Sequence, residues 1–95
     1  MNLSHLIENQ NKRLLVLYPG RFHPFHKGHY QVYQYLVKKF GRDNVYIVTS
    51  DKVVPPKSPL NFAEKKTIIT HVGVDPQHVI QVKNPYRAEE LVSRF

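Results

Sequence analysis

Between Tyr18 and His29 the chain gathers glycine, histidine and cationic residues in one short segment, Tyr18-Pro19-Gly20-Arg21-Phe22-His23-Pro24-Phe25-His26-Lys27-Gly28-His29. These types at these spacings suit the binding of phosphate. Gly20 lets backbone approach a ligand with no side chain in the way, and Gly28 does the same further on. His26 and His29 stand three apart and share a side if a helix begins there. Arg21 and Lys27 add fixed positive charge. The segment is neither common phosphate loop: Phe25 stands where a P-loop needs glycine, and no GxGxxG occurs. A histidine metal cluster from His23, His26 and His29 is the alternative, but without cysteine or a nearby carboxylate its ligand set is poor.

The surrounding elements place this segment at a strand-to-helix turn. Leu14-Leu15-Val16-Leu17-Tyr18 is a continuous apolar run ended by Pro19-Gly20, the pattern of a strand buried on both faces of a parallel sheet. From Gly28 to Phe40 the period changes. Val32, Tyr33, Leu36, Val37 and Phe40 fall at helical spacing, with Gln31, Gln34 and Lys38 facing away and Gly41 as the stop. Helix N-termini present unpaired N–H groups and a positive partial charge, so a phosphate is well placed there. Val45-Tyr46-Ile47-Val48-Thr49 reads as a second strand, and Pro55, Pro56 and Pro59 hold an extended loop. Asn61 with Glu64 opens a second helix carrying Phe62, Ile68 and Ile69 inward, ending near Val72-Gly73. His78 to Val82 reads as a third strand, and Ala88 to Phe95 returns to helical spacing. Residues 1–13 are polar and read as a short helix from Ser4 or a loose arm, ahead of one α/β domain over 14–95. The expected architecture is a Rossmann-like parallel sheet with flanking helices, its ligand at the carboxyl ends of the strands.

Ninety-five residues suit a single domain with a modest core. There is no cysteine, which removes disulfides, thiolate zinc sites and cysteine nucleophiles, and suits a cytoplasmic setting. No apolar run approaches a membrane span, so no membrane partner is expected. The 14 basic side chains against 7 acidic ones give a formal charge of +7. That attracts nucleotides, nucleic acids and acidic membranes alike and separates none of them.

The string His26-Lys27-Gly28-His29 matches the HxGH mark of a nucleotidyltransferase superfamily, and the longer Gly20-Arg21-Phe22-x-Pro24-Phe25-His26-x-Gly28-His29 resembles its archaeal-type nicotinamide mononucleotide adenylyltransferases. The phosphopantetheine adenylyltransferase and cytidylyltransferase branches usually have Thr and Asp in that string. His23 stands where the resembled branch generally has Gln. A looser likeness continues through Lys57-Ser58-Pro59-Leu60-Asn61-Phe62-Ala63-Glu64, so the resemblance covers residues 14 to about 82. It implies a HUP-type nucleotidyltransferase fold, truncated, and transfer of AMP from ATP to a phosphate-bearing acceptor such as nicotinamide mononucleotide, with release of pyrophosphate. Magnesium would arrive with the triphosphate. His26, His29 and Arg21 would be the catalytic residues, the histidines on triphosphate oxygens. Tyr18, Pro19, Gly20, Phe22, Lys27, Gly28, Lys57 and Ser58 would meet the nucleotide, with Arg21 and Lys57 steadying pyrophosphate. An anionic acceptor needs no general base, so catalysis would consist of positioning and neutralisation of charge.

Thr49, Asp51, Tyr86 and Arg87 lie at the same sheet edge and are the candidate acceptor contacts, although a strand-end aspartate is also simply an exposed carboxylate. Tyr30, Tyr33 and Tyr35 read as packing, His5, His71 and His78 as structural or surface residues, and Lys65-Lys66 as a solvated helix face. The family's second phosphate motif, ISxTxxR, does not occur. The resemblance therefore implies either the N-terminal part of a longer enzyme or a non-catalytic half-domain that binds nucleotide or assembles with a partner. The Leu91, Val92 and Phe95 face suggests a homo-oligomer or a partner chain, while a nucleic-acid partner is not expected.

Overall fold

The structure, a computed structural model, describes residues 5–8 and 14–87. Its centre is a sheet built on the apolar runs. Strand β2 (Leu14–Pro19) pairs in parallel with β3 (Val45–Thr49), which pairs in parallel with β4 (Val79–Gln81). Helix α1 (Lys27–Phe40) joins β2 to β3, and α2 (Phe62–His71) joins β3 to β4. This is a Rossmann-like α/β arrangement with two flanking helices.

Successive strand residues face opposite sides of a sheet, and both sides are filled here. Val16, Tyr18, Val45, Ile47 and Val79 form one cluster with Tyr33 and Leu36 of α1 and Ile69 of α2, so both helices cover the same face. Leu15, Leu17, Val48 and Val82 form a second cluster, with Tyr46 and Ile80 packed against it. Leu17 and Val48 are fully buried. Two-sided burial explains why these runs read as unbroken apolar stretches rather than alternating ones.

The N-terminal segment departs from expectation. His5–Glu8 is neither helix nor loose arm but a strand, β1, antiparallel to β2 with His5 opposite Leu17 and Glu8 opposite Leu14. The cause is long-range. The side of β2 away from β3 carries backbone N–H and C=O groups that need partners, and no local pattern within residues 5–8 announces that demand. The third parallel strand is shorter than read, because Pro76–His78 forms a turn of 3-10 helix before it. His78 Nδ1 lies 2.8 Å from the Val45 carbonyl and the ring stacks flat on Tyr46, so its role is structural. The loop after β3 is tighter than an extended one: Val54 and Ser58 exchange two backbone hydrogen bonds of 2.8 Å across the intervening prolines. The helix expected over 88–95, and the partner surface assigned to it, lie outside the described residues.

Candidate anion site at the carboxyl edge of the sheet

The turn after β2 is held first by the strands. Gly20 N–H donates to the Val48 carbonyl, so the chain is still tied to β3 as it leaves the sheet. Phe22 then takes a left-handed backbone, φ +53°, a conformation that costs a non-glycine residue roughly 1–2 kcal/mol. Burial of its ring offsets that cost, with edge-on contacts to Tyr18, Phe25 and His29 at centroid distances of 5.5, 5.2 and 5.0 Å. Gly20 also serves the packing of the turn. A Cβ there would sit 2.5 Å from Phe22 Cζ, so the missing side chain makes room for that ring.

The start of α1 is built by its own histidines. His26 is the N-cap: its Nδ1 accepts from Gly28 N–H at 3.0 Å, while His29 Nδ1 accepts from His26 N–H at 3.1 Å. The two rings stack at 3.8 Å. Gly28 is required because a Cβ would come within 2.9 Å of His26 Cε1. An accepting Nδ1 carries no proton, so each neutral ring bears its hydrogen on Nε2. Burial, and then the neighbouring His26, lower the pKa of His29. Both rings thus commit Nδ1 to the positive end of the helix, and burial favours the neutral form of His29.

These groups border a cavity of about 530 Å³ at the carboxyl edge of the sheet. The loop from Tyr18 to Phe22 forms one side, His26 and His29 another, and Lys57, Ser58 and Tyr86 complete it. All of these were expected from sequence. His23 and Pro24 also line it, and Leu60 N–H approaches His23 Nδ1 at 3.4 Å. Burial, then Lys65 and Arg21, lower the pKa of His23. Burial, then Tyr86, raise that of Tyr18. Arg21 also borders two smaller recesses, of about 150 and 90 Å³, where Ser50 and Lys52 join it. Those two residues escaped the sequence reading, because only the fold carries the end of β3 towards Arg21. Among the described residues no carboxylate lines this large cavity and no cluster of metal-ligating side chains forms.

Five expected site residues are placed otherwise. Lys27 is exposed and borders no described recess, and Gly28 opens onto a shallow groove on the outer side of α1. Asp51 Oδ1 accepts from Phe62 N–H at 2.8 Å and so serves the start of α2. Arg87 is exposed, and its N–H closes a turn onto the Asn84 carbonyl. Thr49 is fully buried, its hydroxyl donating to the Arg21 carbonyl and accepting from Lys65 Nζ. Lys65 itself is wholly buried, not solvated. The signal was in the spacing, since Lys65 lies three residues after Phe62 and four before Ile69, on the inward stripe.

A strand-to-helix turn that gathers a helix N-terminus, two imidazoles and two cations around one recess has the chemistry of a candidate anion site. The family model described as cytidylyltransferase-like matches residues 17–90. The chain belongs to that family. It is 31% identical over 68 residues to the nicotinamide-nucleotide adenylyltransferase 1 of Sulfolobus acidocaldarius, a match covering 67% of this chain and 39% of that protein. It is 32% identical over 74 residues to the phosphopantetheine adenylyltransferase of Archaeoglobus fulgidus, covering 70% of this chain and 49% of that protein. The chain thus spans less than half the length of these relatives. No solved structure matches it. No helix among the described residues is long and apolar enough to cross a membrane.

Proposed function

We propose that the cavity binds the triphosphate of ATP, with its magnesium, and that the chain serves transfer of AMP to a phosphate-bearing acceptor with release of pyrophosphate. The reciprocal histidine cap carries the reading. It locks two Nε2–H donors at the mouth of α1 without using any side-chain charge, and it leaves Arg21 and Lys57 to neutralise phosphate oxygens. Neutral imidazoles donate to the anion, the helix end adds partial positive charge, and the cations stabilise the charge that builds on departing pyrophosphate. Magnesium is held by the triphosphate itself, since no carboxylate among the described residues lines the cavity. Nicotinamide mononucleotide is the acceptor proposed from the Gly20–His29 string. The similar identities to two relatives with different named substrates leave phosphopantetheine as the comparison to run.

Calorimetric titration of ATP and magnesium into the chain and into His26→Ala tests the site. The substitution removes both the cap and a donor, and affinity should fall at least tenfold, since hydrogen bonds to charged groups contribute about 1.5–3 kcal/mol. Equal affinity in the two would remove His26 from the site. Pyrophosphate release on adding nicotinamide mononucleotide, and not phosphopantetheine, is the result expected for the acceptor; the reverse preference would reassign it.

A further inference from the structure

The most unusual side chain outside the proposed contacts is Lys65. A lysine with no exposed surface is rare, and burying an ammonium costs several kcal/mol before its partners are counted. Packing alone would favour an apolar residue at this point of α2, between the inward Phe62 and Ile69. The side chain instead reaches the end of β3, where Nζ donates to Thr49 Oγ1 at 3.1 Å. Thr49 Oγ1 in turn donates to the Arg21 carbonyl at 3.3 Å.

The order of donors matters. An ammonium can only donate, and a threonine hydroxyl has one hydrogen. With Lys65 occupying the oxygen as donor, that hydrogen is directed to the Arg21 carbonyl, in the middle of the loop that borders all three recesses. We propose that Lys65 is a positioning residue for this site: its buried ammonium orients the Thr49 hydroxyl, which fixes the Arg21 carbonyl and so the direction in which the loop offers its cation and backbone to a polyphosphate. This rests on reading the cavity as a polyphosphate site. Burial lowers the pKa of both His23 and Lys65, and beneath the same loop Lys65 adds to the effect on His23 and Arg21 to that on Lys65. Asp51, across from it at the start of α2, is the opposing influence that favours the ammonium.

The test compares the parent chain with Lys65→Met, Lys65→Arg and Thr49→Val, using ATP with magnesium as the probe and following the His23 imidazole by NMR titration. Methionine fills similar space without charge and is expected to fold cooperatively. In Lys65→Met, ATP affinity should fall about tenfold, and the His23 pKa should rise as one positive neighbour disappears. Arginine, which keeps the charge and the donor, should restore most of the affinity. Thr49→Val cuts the relay while keeping the charge, so affinity should fall with the His23 titration unmoved. It also carries the test if the methionine variant does not fold. Parent-like ATP binding by both Lys65→Met and Thr49→Val would overturn the inference and leave the cavity reading intact. Failure of the parent chain to bind ATP would remove that reading instead. The His23 titration would then decide alone, and an unmoved His23 in Lys65→Met would overturn the placement of the charge.

Discussion

His26 and His29 each commit Nδ1 to a backbone N–H, and protonation of either ring would destroy an acceptor that the helix start uses. That links the start of α1 to pH through stability. The folded state lowers the pKa of His29, by burial and then by His26, and lowers that of His23, so it disfavours their charged forms. Above the ordinary value of 6.5 both folded and unfolded imidazoles are neutral and the contribution is whole. As pH falls below it the unfolded chain takes up protons first, and stability declines until the folded pKa values are passed. The urea midpoint should therefore be lower at pH 5 than at pH 7.5. His29→Gln, which keeps an acceptor for the His26 N–H but cannot titrate, should flatten part of that slope. A slope as steep in the variant as in the parent would show that His29 does not contribute.

At the scale of elements, the two helices start by the same device made from different residues. Asn61 Oδ1 accepts from Glu64 N–H at 2.8 Å while Glu64 Oε1 accepts from Asn61 N–H at 3.0 Å. Asp51 adds a bond to Phe62 N–H, so three donors at the start of α2 are satisfied from protein atoms. This capped terminus carries Lys65 one turn in, which makes α2 a support for the loop. Asn61→Ala should cost about 1 kcal/mol and lower the melting temperature by roughly 4–8 °C for a domain of this size. Calorimetric scanning measures it, and an unchanged melting temperature would mean that Asp51 and Glu64 suffice. The α2 cap was legible because Asn and Glu at that spacing signal it directly. The α1 cap was not, because histidine is not an ordinary capping residue and only the packed geometry shows it in that role.

For the molecule as a whole, the sheet is the frame and both of its faces are core. Ile47 lies on the face covered by α1 and α2, and Leu17 on the opposite one, and both are wholly buried. Leu17→Ala and Ile47→Ala should each destabilise the chain by about 2–5 kcal/mol in urea unfolding. A much smaller loss for Leu17 would mean that its face is not a cohesive core. With both faces filled, the strand ends cannot shift independently, which keeps the turns after β2 and β3 in register across the cavity.

Apolar runs and helical periods along the chain were enough to determine the three parallel strands, both described helices and the segment Gly20–His29, because each depends on residues close in sequence. The residues of the candidate anion site were equally local, a matter of which side chains stand at a strand-to-helix turn. Tertiary structure alone decided what depends on distant partners. It paired His5–Glu8 with the free edge of β2, and it gave the space left by Gly20 to the Phe22 ring. It engaged the Thr49 hydroxyl with Arg21 and Lys65, and Asp51 with the start of α2. It also drew Lys65 from an assumed solvent face into the interior, where its amino group donates to a hydroxyl from another element.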